Sequence, residues 1–336
     1  VLKDVMEVEV DADNGVVRIL SEESGYNPEN YSRMFSGKGF AFILSDLFIS
    51  YYKALDVLSV YDGKTWTSLI PKDVVEKTQE EGKKLYESKA LFEAYKREFK
   101  EYIKRSEKES EKILKKNELT FDDVNIIFDF VREHFSYYRK TEFFYTDNVN
   151  HKKMVPSVKE FDELKLDGRS HLNKIIFEEN GYVNSLARIL SKQFDISKET
   201  IMQMNADEIR DLFETKEPPK TFDLKERVKG YFQSKDTLIF GDEGKEKAHL
   251  FVNQYQQAGD VIKGTVANTG YVKAKAFVIA PDISNFESYA KQVDKMEKGD
   301  VLVAETTSPE IIHACKKASA IITNQGGMLS HAAIVS

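Results

Sequence analysis

The stretch LFEAYKREFKEYIKRSEKESEKIL, from Leu91 to Leu114, constrains the fold more than any other part of the chain. Phe92, Tyr95, Phe99, Tyr102 and Ile103 recur at spacings of three and four, which places them along one stripe of an α-helix. A β-strand cannot gather them, because its side chains alternate between faces with a period of two. The helix must bury this aromatic stripe against other elements. Its Lys, Arg and Glu residues then form a solvated face, with pairs such as Glu101 and Arg105 facing each other four residues apart.

Helical patterning runs from Lys72 to about Phe213. In DDVNIIFDFVREHFSYY, the residues Ile127, Val131, His134 and Tyr138 share one side, and His134 is expected to be a hydrogen-bonded core residue. Asn205 followed by Glu208 is a capping-box arrangement that starts another helix, and Pro218 and Pro219 end it. Strand signals flank this region. DVMEVEVDADNGVVRIL reads as a hairpin, and LSVYDGKTWTSLIP as two short strands joined by Asp62-Gly63 with Trp66 packed inside. KGYFQSKDTLIFGDEG reads as a further hairpin and GKEKAHLFVNQY as a helix.

Beyond Gly259 the pattern changes again. Two strand-like runs surround Asn268-Thr269-Gly270, GDVLVAETTSPE is a strand leading into a loop, IIHACKKASA a helix and AIIT a buried strand. The expected fold class is α+β with helix predominant. The expected division is a small β-containing region over 1–71, a mainly helical accessory domain over 72–258, and a compact β/α domain over 259–336.

Composition narrows the function classes. The 336 residues are 41% hydrophobic and carry a formal net charge of −7, so the chain is globular and offers no global basic field for nucleic acid or an anionic membrane. No apolar run approaches the roughly 20 residues of a membrane span. The single cysteine, Cys315, excludes an intramolecular disulfide, fits a reducing cytoplasm, and reads as a small buried residue. None of the six histidines shows HExxH or similar spacing, so no metal site is expected. A small-molecule or protein partner is favoured, and an oligomer is compatible with the sequence. The chain opens on Val1, which is read as a trimmed start, and closes at Ser336, which is read as a last domain either incomplete or completed in an unusual way.

One segment carries chemistry. In NQGGMLSHAAIV, Gly326 and Gly327 follow a strand and permit close approach of another molecule. Ser330 is placed to cap the helix that starts with HAAIV, and His331 falls in its first turn. Unpaired N–H groups and the helix dipole there disfavour an imidazolium and favour a phosphate. Local pattern alone leaves His331 open as an ordinary helix-start residue.

The stretch GDVLVAETTSPEIIHACKKASAIITNQGGMLSHAAIV resembles the mobile, swivelling phosphohistidine domain of the phosphoenolpyruvate-utilising enzymes. That group includes phosphoenolpyruvate synthase, pyruvate phosphate dikinase and rifampin phosphotransferase. The matching elements are the Gly299-Asp300 turn and its strand, Thr307 and Pro309, the strand from Ala320, Gly326-Gly327 and Ser330-His331-Ala332-Ala333. SGKGFAFILSDLFISYY, the text from Asp207 to Arg210 and ERVKGYF are more loosely similar to the accessory region of dikinase-like proteins.

The resemblance implies phosphoryl transfer through a phosphorylated His331, from ATP or phosphoenolpyruvate to an acceptor. Gly326, Gly327, Ser330 and Thr307 would contact or support the phosphate, although Thr307 and Ser330 are equally plain turn and cap residues. It further implies magnesium and ATP on an ATP-grasp domain or subunit, which this sequence does not display. A non-catalytic binding or assembly protein with a regulatory or remnant histidine domain is the competing reading.

Overall fold

In a computed structural model of the chain, the structure describes residues 7–11, 16–20, 26–38, 41–150, 152–220, 222–253, 266–279, 291–304, 307 and 311–324. It is a mixed helix and sheet protein in which helix predominates, as expected. Strands β1 (Glu7–Asp11) and β2 (Val16–Leu20) pair antiparallel, as the alternation around DNG predicts; the turn itself lies outside the described residues.

The segment FILSDLFISYY is apolar on nearly every side, so as a helix it belongs inside a core. It forms α1 (Phe42–Tyr52), with Phe42, Ile43, Leu44, Leu47, Phe48 and Ile49 buried. Sequence periodicity leaves this helix unassigned because it has no polar face to mark the period. Its few polar side chains are satisfied across elements. Ser45 Oγ lies 2.5 Å from Ser59 Oγ and donates to Gln233 Oε1 at 2.8 Å. Asp46 accepts hydrogen bonds from the Ala206 amide at 3.0 Å and from Gln233 Nε2 at 3.2 Å.

Those partners tie α1 to a five-stranded antiparallel sheet of β3 (Tyr31–Lys38), β4 (Leu58–Tyr61), β5 (Thr65–Pro71), β6 (Tyr231–Gln233) and β7 (Leu238–Phe240) in the order β3-β5-β4-β6-β7. The strand pairs read in LSVYDGKTWTSLIP and KGYFQSKDTLIFGDEG are both present, and β6 pairs with β4 to join them into one sheet. Trp66 is buried against Phe48 and Phe35, its Nε1 donating to Ser59 Oγ at 2.6 Å, so it packs as expected.

Between β5 and β6 the chain runs through α2 (Lys72–Tyr86), α3 (Lys89–Ile113), α4 (Phe121–Tyr138), α5 (Phe143–Thr146), α6 (Val158–Leu172), α7 (Tyr182–Phe194), α8 (Lys198–Met202), α9 (Ala206–Thr215) and α10 (Leu224–Lys229). Helix α11 (Gly241–Asn253) follows β7 and covers the sheet face opposite α1 with Ala248 and Phe251. The aromatic stripe of α3 is buried as its spacing requires: Phe92, Tyr95, Phe99 and Tyr102 share a core with Tyr86, Phe130, Tyr145 and Phe161. Burying tyrosine demands a partner for each hydroxyl. Tyr95 donates to the Tyr137 carbonyl at 2.9 Å and Tyr102 to the Phe130 carbonyl at 2.7 Å.

One expectation on the polar face of α3 is corrected. Arg105 does not pair with Glu101 but reaches across to Glu133 of α4, with Nη2 at 2.6 and 2.5 Å from its two carboxylate oxygens. Both contacts are charge-assisted hydrogen bonds, the stronger kind. The capping box of α9 is present. Asn205 Oδ1 accepts from the Glu208 amide at 2.8 Å and the Glu208 carboxylate accepts from the Asn205 amide at 2.9 Å. The helix stops at Thr215, with Lys216 left-handed at φ 67°, ahead of the two prolines.

The carboxyl-terminal part is a three-stranded parallel sheet of β8 (Ala276–Ile279), β9 (Val301–Ala304) and β10 (Ala320–Thr323), ordered β10-β9-β8, with α12 (Ile312–Lys317) between β9 and β10. Two expectations change here. Of the two strand-like runs around Asn268-Thr269-Gly270, the second is present as β8 at its end, whereas residues 266–275 form no strand, with Val266 and Tyr271 exposed; residues 261–265 lie outside the described residues. The strand AIIT is half-buried rather than buried, with Ile322 52% exposed, because β10 lies at the end of the described strand order.

Candidate functional site

A parallel β-α-β unit has two unlike ends, and ligands bind outside the carboxyl ends of its strands. The amino end of β9 is closed by local hydrogen bonds. Gly299 adopts φ 100°, and its amide donates to the Lys317 carbonyl at 2.8 Å. Asp300 accepts from the Glu297 amide at 3.1 Å through its carboxylate, and from the Ser319 amide at 2.9 Å through its carbonyl. Lys317, in the last turn of α12, donates to the carbonyls of Val293 and Met296 at 3.2 and 3.0 Å. This end is therefore structural. A left-handed backbone suits glycine, so Gly299→Ala should cost about 1–2 kcal/mol, read as a lower thermal transition of the carboxyl-terminal part.

At the opposite end β9 and β10 leave the sheet together. The Asn324 amide donates to the Ala304 carbonyl at 3.1 Å, extending the pairing one step beyond Thr323. The chain then continues into Gln325-Gly326-Gly327 from β10, while Thr307 follows β9. Thr307 is buried, at 6% exposure. Of the residues singled out from sequence, Thr307 is thus seated just past the carboxyl end of β9. Gly326, Gly327, Ser330 and His331 lie outside the described residues.

The sequence reading missed Asp300 and Lys317 as the fastenings of the unit. A lysine in the last helical turn is the available signal, since such side chains commonly reach terminal carbonyls. Cys315 is buried among Leu302, Ile311 and Ala314, and burial pushes its thiol above the usual range, as a packed rather than a reactive cysteine requires. Among the described residues, no group of three or more His, Cys, Asp or Glu could hold a metal ion, and no helix is long and apolar enough to cross a membrane.

Past its strand ends this parallel β/α unit leads, in sequence, into the glycine-rich, histidine-bearing segment from Gln325 to His331. Residues 296–336, which contain β9, α12 and β10, match the family described as "PEP-utilising enzyme, mobile domain". Over this segment the chain is similar to the phosphoenolpyruvate-utilising enzymes. It is 41% identical over 92 residues to a Pyrococcus horikoshii protein named "Probable phosphoenolpyruvate synthase", covering 27% of this chain and 10% of that protein. The phosphoenolpyruvate synthase of Pyrococcus furiosus is 39% identical over 83 residues, covering 25% of this chain and 9% of its own. That of Neisseria meningitidis is 50% identical over 46 residues, covering 14% and 6%. The matched stretch thus spans about a tenth of the length of these archaeal relatives. No solved structure matches the chain.

Proposed function

We propose that the chain carries phosphoryl groups on His331, taking them from a donor and delivering them to an acceptor. The observation that supports this reading is the family match over residues 296–336, in which a parallel unit leads directly into the Gly-Gly-x-x-Ser-His segment. The sequence places His331 in the first turn of a helix, and in that setting the N–H groups and dipole would keep the imidazole neutral before transfer and favour the phosphate it then holds.

In the first step an imidazole nitrogen attacks phosphorus in line. The N–P bond forms as the P–O bond to the donor breaks, and the electron pair leaves on the donor oxygen. In the second step an acceptor oxygen attacks, the N–P bond breaks, and the imidazole is returned neutral after the acceptor's proton is lost. Gly326 and Gly327 let the loop approach the phosphoryl oxygens, and Ser330 and Thr307 donate hydrogen bonds to them. Two displacements allow donor and acceptor to occupy separate sites. The donor is ATP or phosphoenolpyruvate. Magnesium and nucleotide belong on an ATP-grasp domain or subunit, and the helical region over 72–258 is the place for an acceptor, whether small molecule or protein.

The test uses magnesium and ATP labelled at the β-phosphate, with and without an ATP-grasp partner. Acid-labile label should appear on the chain and vanish in His331→Ala, a loss of at least a hundredfold in incorporation. A parallel arm uses phosphoenolpyruvate labelled in its phosphate, and absence of label from either donor, with the protein folded, would sink the phosphocarrier reading and leave a binding or assembly role.

A further inference from the structure

Inside the helical layers, His134 of α4 and His171 of α6 face each other with ring centroids 5.3 Å apart. Both are deeply buried, at 0% and 3% exposure. His171 Nε2 lies 2.8 Å from Ser106 Oγ of α3. Among the described residues its Nδ1 and both nitrogens of His134 lack a well-formed hydrogen bond, although the Gly168 backbone lies close enough to His134 to favour its protonated ring against burial. His134 was expected to be a hydrogen-bonded core residue. It is core, and beside it lie the Gly168 backbone and a second histidine.

The groups around the pair are almost all uncharged. His134 is ringed by Phe99 and Tyr102 of α3 and stacked on Tyr138 of its own helix, with centroids at 6.1, 5.9 and 5.6 Å. His171 meets Tyr102 edge-on at 5.6 Å and Tyr182 of α7 at 6.0 Å. The charges on neighbouring elements are committed elsewhere. Glu107 of α3 is bonded to Lys174 at 2.9 Å, so its pull on His171 is opposed by that ammonium. Arg169 of α6 donates to the Tyr138 hydroxyl at 2.8 Å, and Glu133 of α4 holds Arg105 at the surface. Among the described residues, no carboxylate is bonded to either ring.

A proton on either ring would therefore create a buried charge without a counter-ion, and a second proton would place like charges one ring apart. The aromatic faces return only a small part of that cost. Burial accordingly holds His134 well below the usual histidine range and His171 down to about 4. The chain leaving His171 is also the irregular one: Asn173–Phe177 is a π-helical turn, a form concentrated at sites that yield or act.

We propose that His134 and His171 form an acid-operated latch: while both rings are neutral they hold α3, α4, α6 and α7 together, and protonation releases the π-turn and the α6–α7 connection. The sign follows from proton binding. Histidines released from the core take up protons near pH 6.5, whereas the buried pair does so only well below that value. The open state binds more protons, so closure is complete above about pH 6.5 and is lost as the pH falls toward about 4. Each ring changes the opening equilibrium by up to about tenfold per pH unit, and the pair by up to about a hundredfold.

The experiment measures amide hydrogen exchange across residues 173–181, corrected for the intrinsic pH dependence of exchange, from about pH 7 to about pH 4.5. It compares the wild type, the double variant His134→Phe/His171→Gln and the exposed control His249→Gln. The wild type and the control should open steeply with acid, and the double variant should lose at least tenfold of that response. The latch is refuted if the double variant keeps the wild-type slope. Ring titration by NMR in the wild type decides independently should the double variant not fold: two rings titrating in the ordinary range near pH 6.5 in the folded protein would refute it as well.

Discussion

Replacing Arg227 by alanine should destabilise the helical and sheet core by about 3–5 kcal/mol, the cost of removing one partner from a buried ion pair. Arg227 is 5% exposed on the short helix α10. Its Nη1 donates to Glu208 Oε2 at 2.9 Å and to the Gln203 carbonyl at 3.0 Å, and its Nη2 bonds to Glu208 Oε1. The guanidinium also lies over Phe240, Phe222 and Phe42 at 4.1, 4.7 and 5.2 Å from their centroids. Alanine would strip a 9% exposed Glu208 of its counter-ion while that carboxylate still caps α9 through the Asn205 amide. Exposed pairs such as Lys77 with Asp73 should by contrast contribute less than about 1 kcal/mol.

The check is a urea titration followed by the fluorescence of Trp66, the only tryptophan, which belongs to the same core. Arg227→Lys should fall between wild type and alanine, because an ammonium keeps the charge and loses the two-pronged geometry. A double variant Arg227→Met/Glu208→Gln should recover part of the loss, since it removes the stranded charge. If the alanine variant unfolds at the wild-type midpoint, the buried pair contributes nothing and the assignment fails.

This pair shows where sequence reading runs out. The capping box named Glu208 correctly from local spacing, because Asn205 and Glu208 meet within one helical turn whatever surrounds them. The partner Arg227 lies 19 residues on, beyond a proline break, and no spacing rule connects them. The stripe of α3 was legible for the same reason as the capping box: period fixes a face. Helix α1 was not, because uniform burial erases the period. Register between distant strands was likewise hidden. The hairpins of β4–β5 and β6–β7 each carried turn signals, but the pairing of Val60 with Phe232 joins them across a helical insertion. At the candidate site, local chemistry and family pattern named the Gly299-Asp300 turn, Thr307 and the segment around His331, while Lys317 acts on the Val293 and Met296 carbonyls, whose positions sequence does not give.

Gly82→Ala should be the second severe lesion, destabilising by about 3 kcal/mol even though alanine is the better helix former by about 1 kcal/mol. A Cβ at Gly82 would sit 1.5 Å from the Tyr145 carbonyl oxygen, 2.6 Å from its carbon and 2.9 Å from the Tyr145 ring. The first two obstacles are backbone, so no rotamer change removes them. Relief requires α2 and α5 to move apart. Both are fixed: α2 continues directly from β5 at Pro71–Lys72, and Tyr145 is buried in the aromatic core, edge-on to Tyr86 at 6.5 Å. The propensity gain is therefore outweighed by overpacking. Thermal unfolding followed by far-UV circular dichroism should show the loss, whereas the exposed neighbour Glu80→Ala should stay within about 0.5 kcal/mol of wild type. A Gly82→Ala protein as stable as wild type would mean that α2 and α5 do not meet at this distance, and that the helical insertion is held to the sheet by its larger core alone.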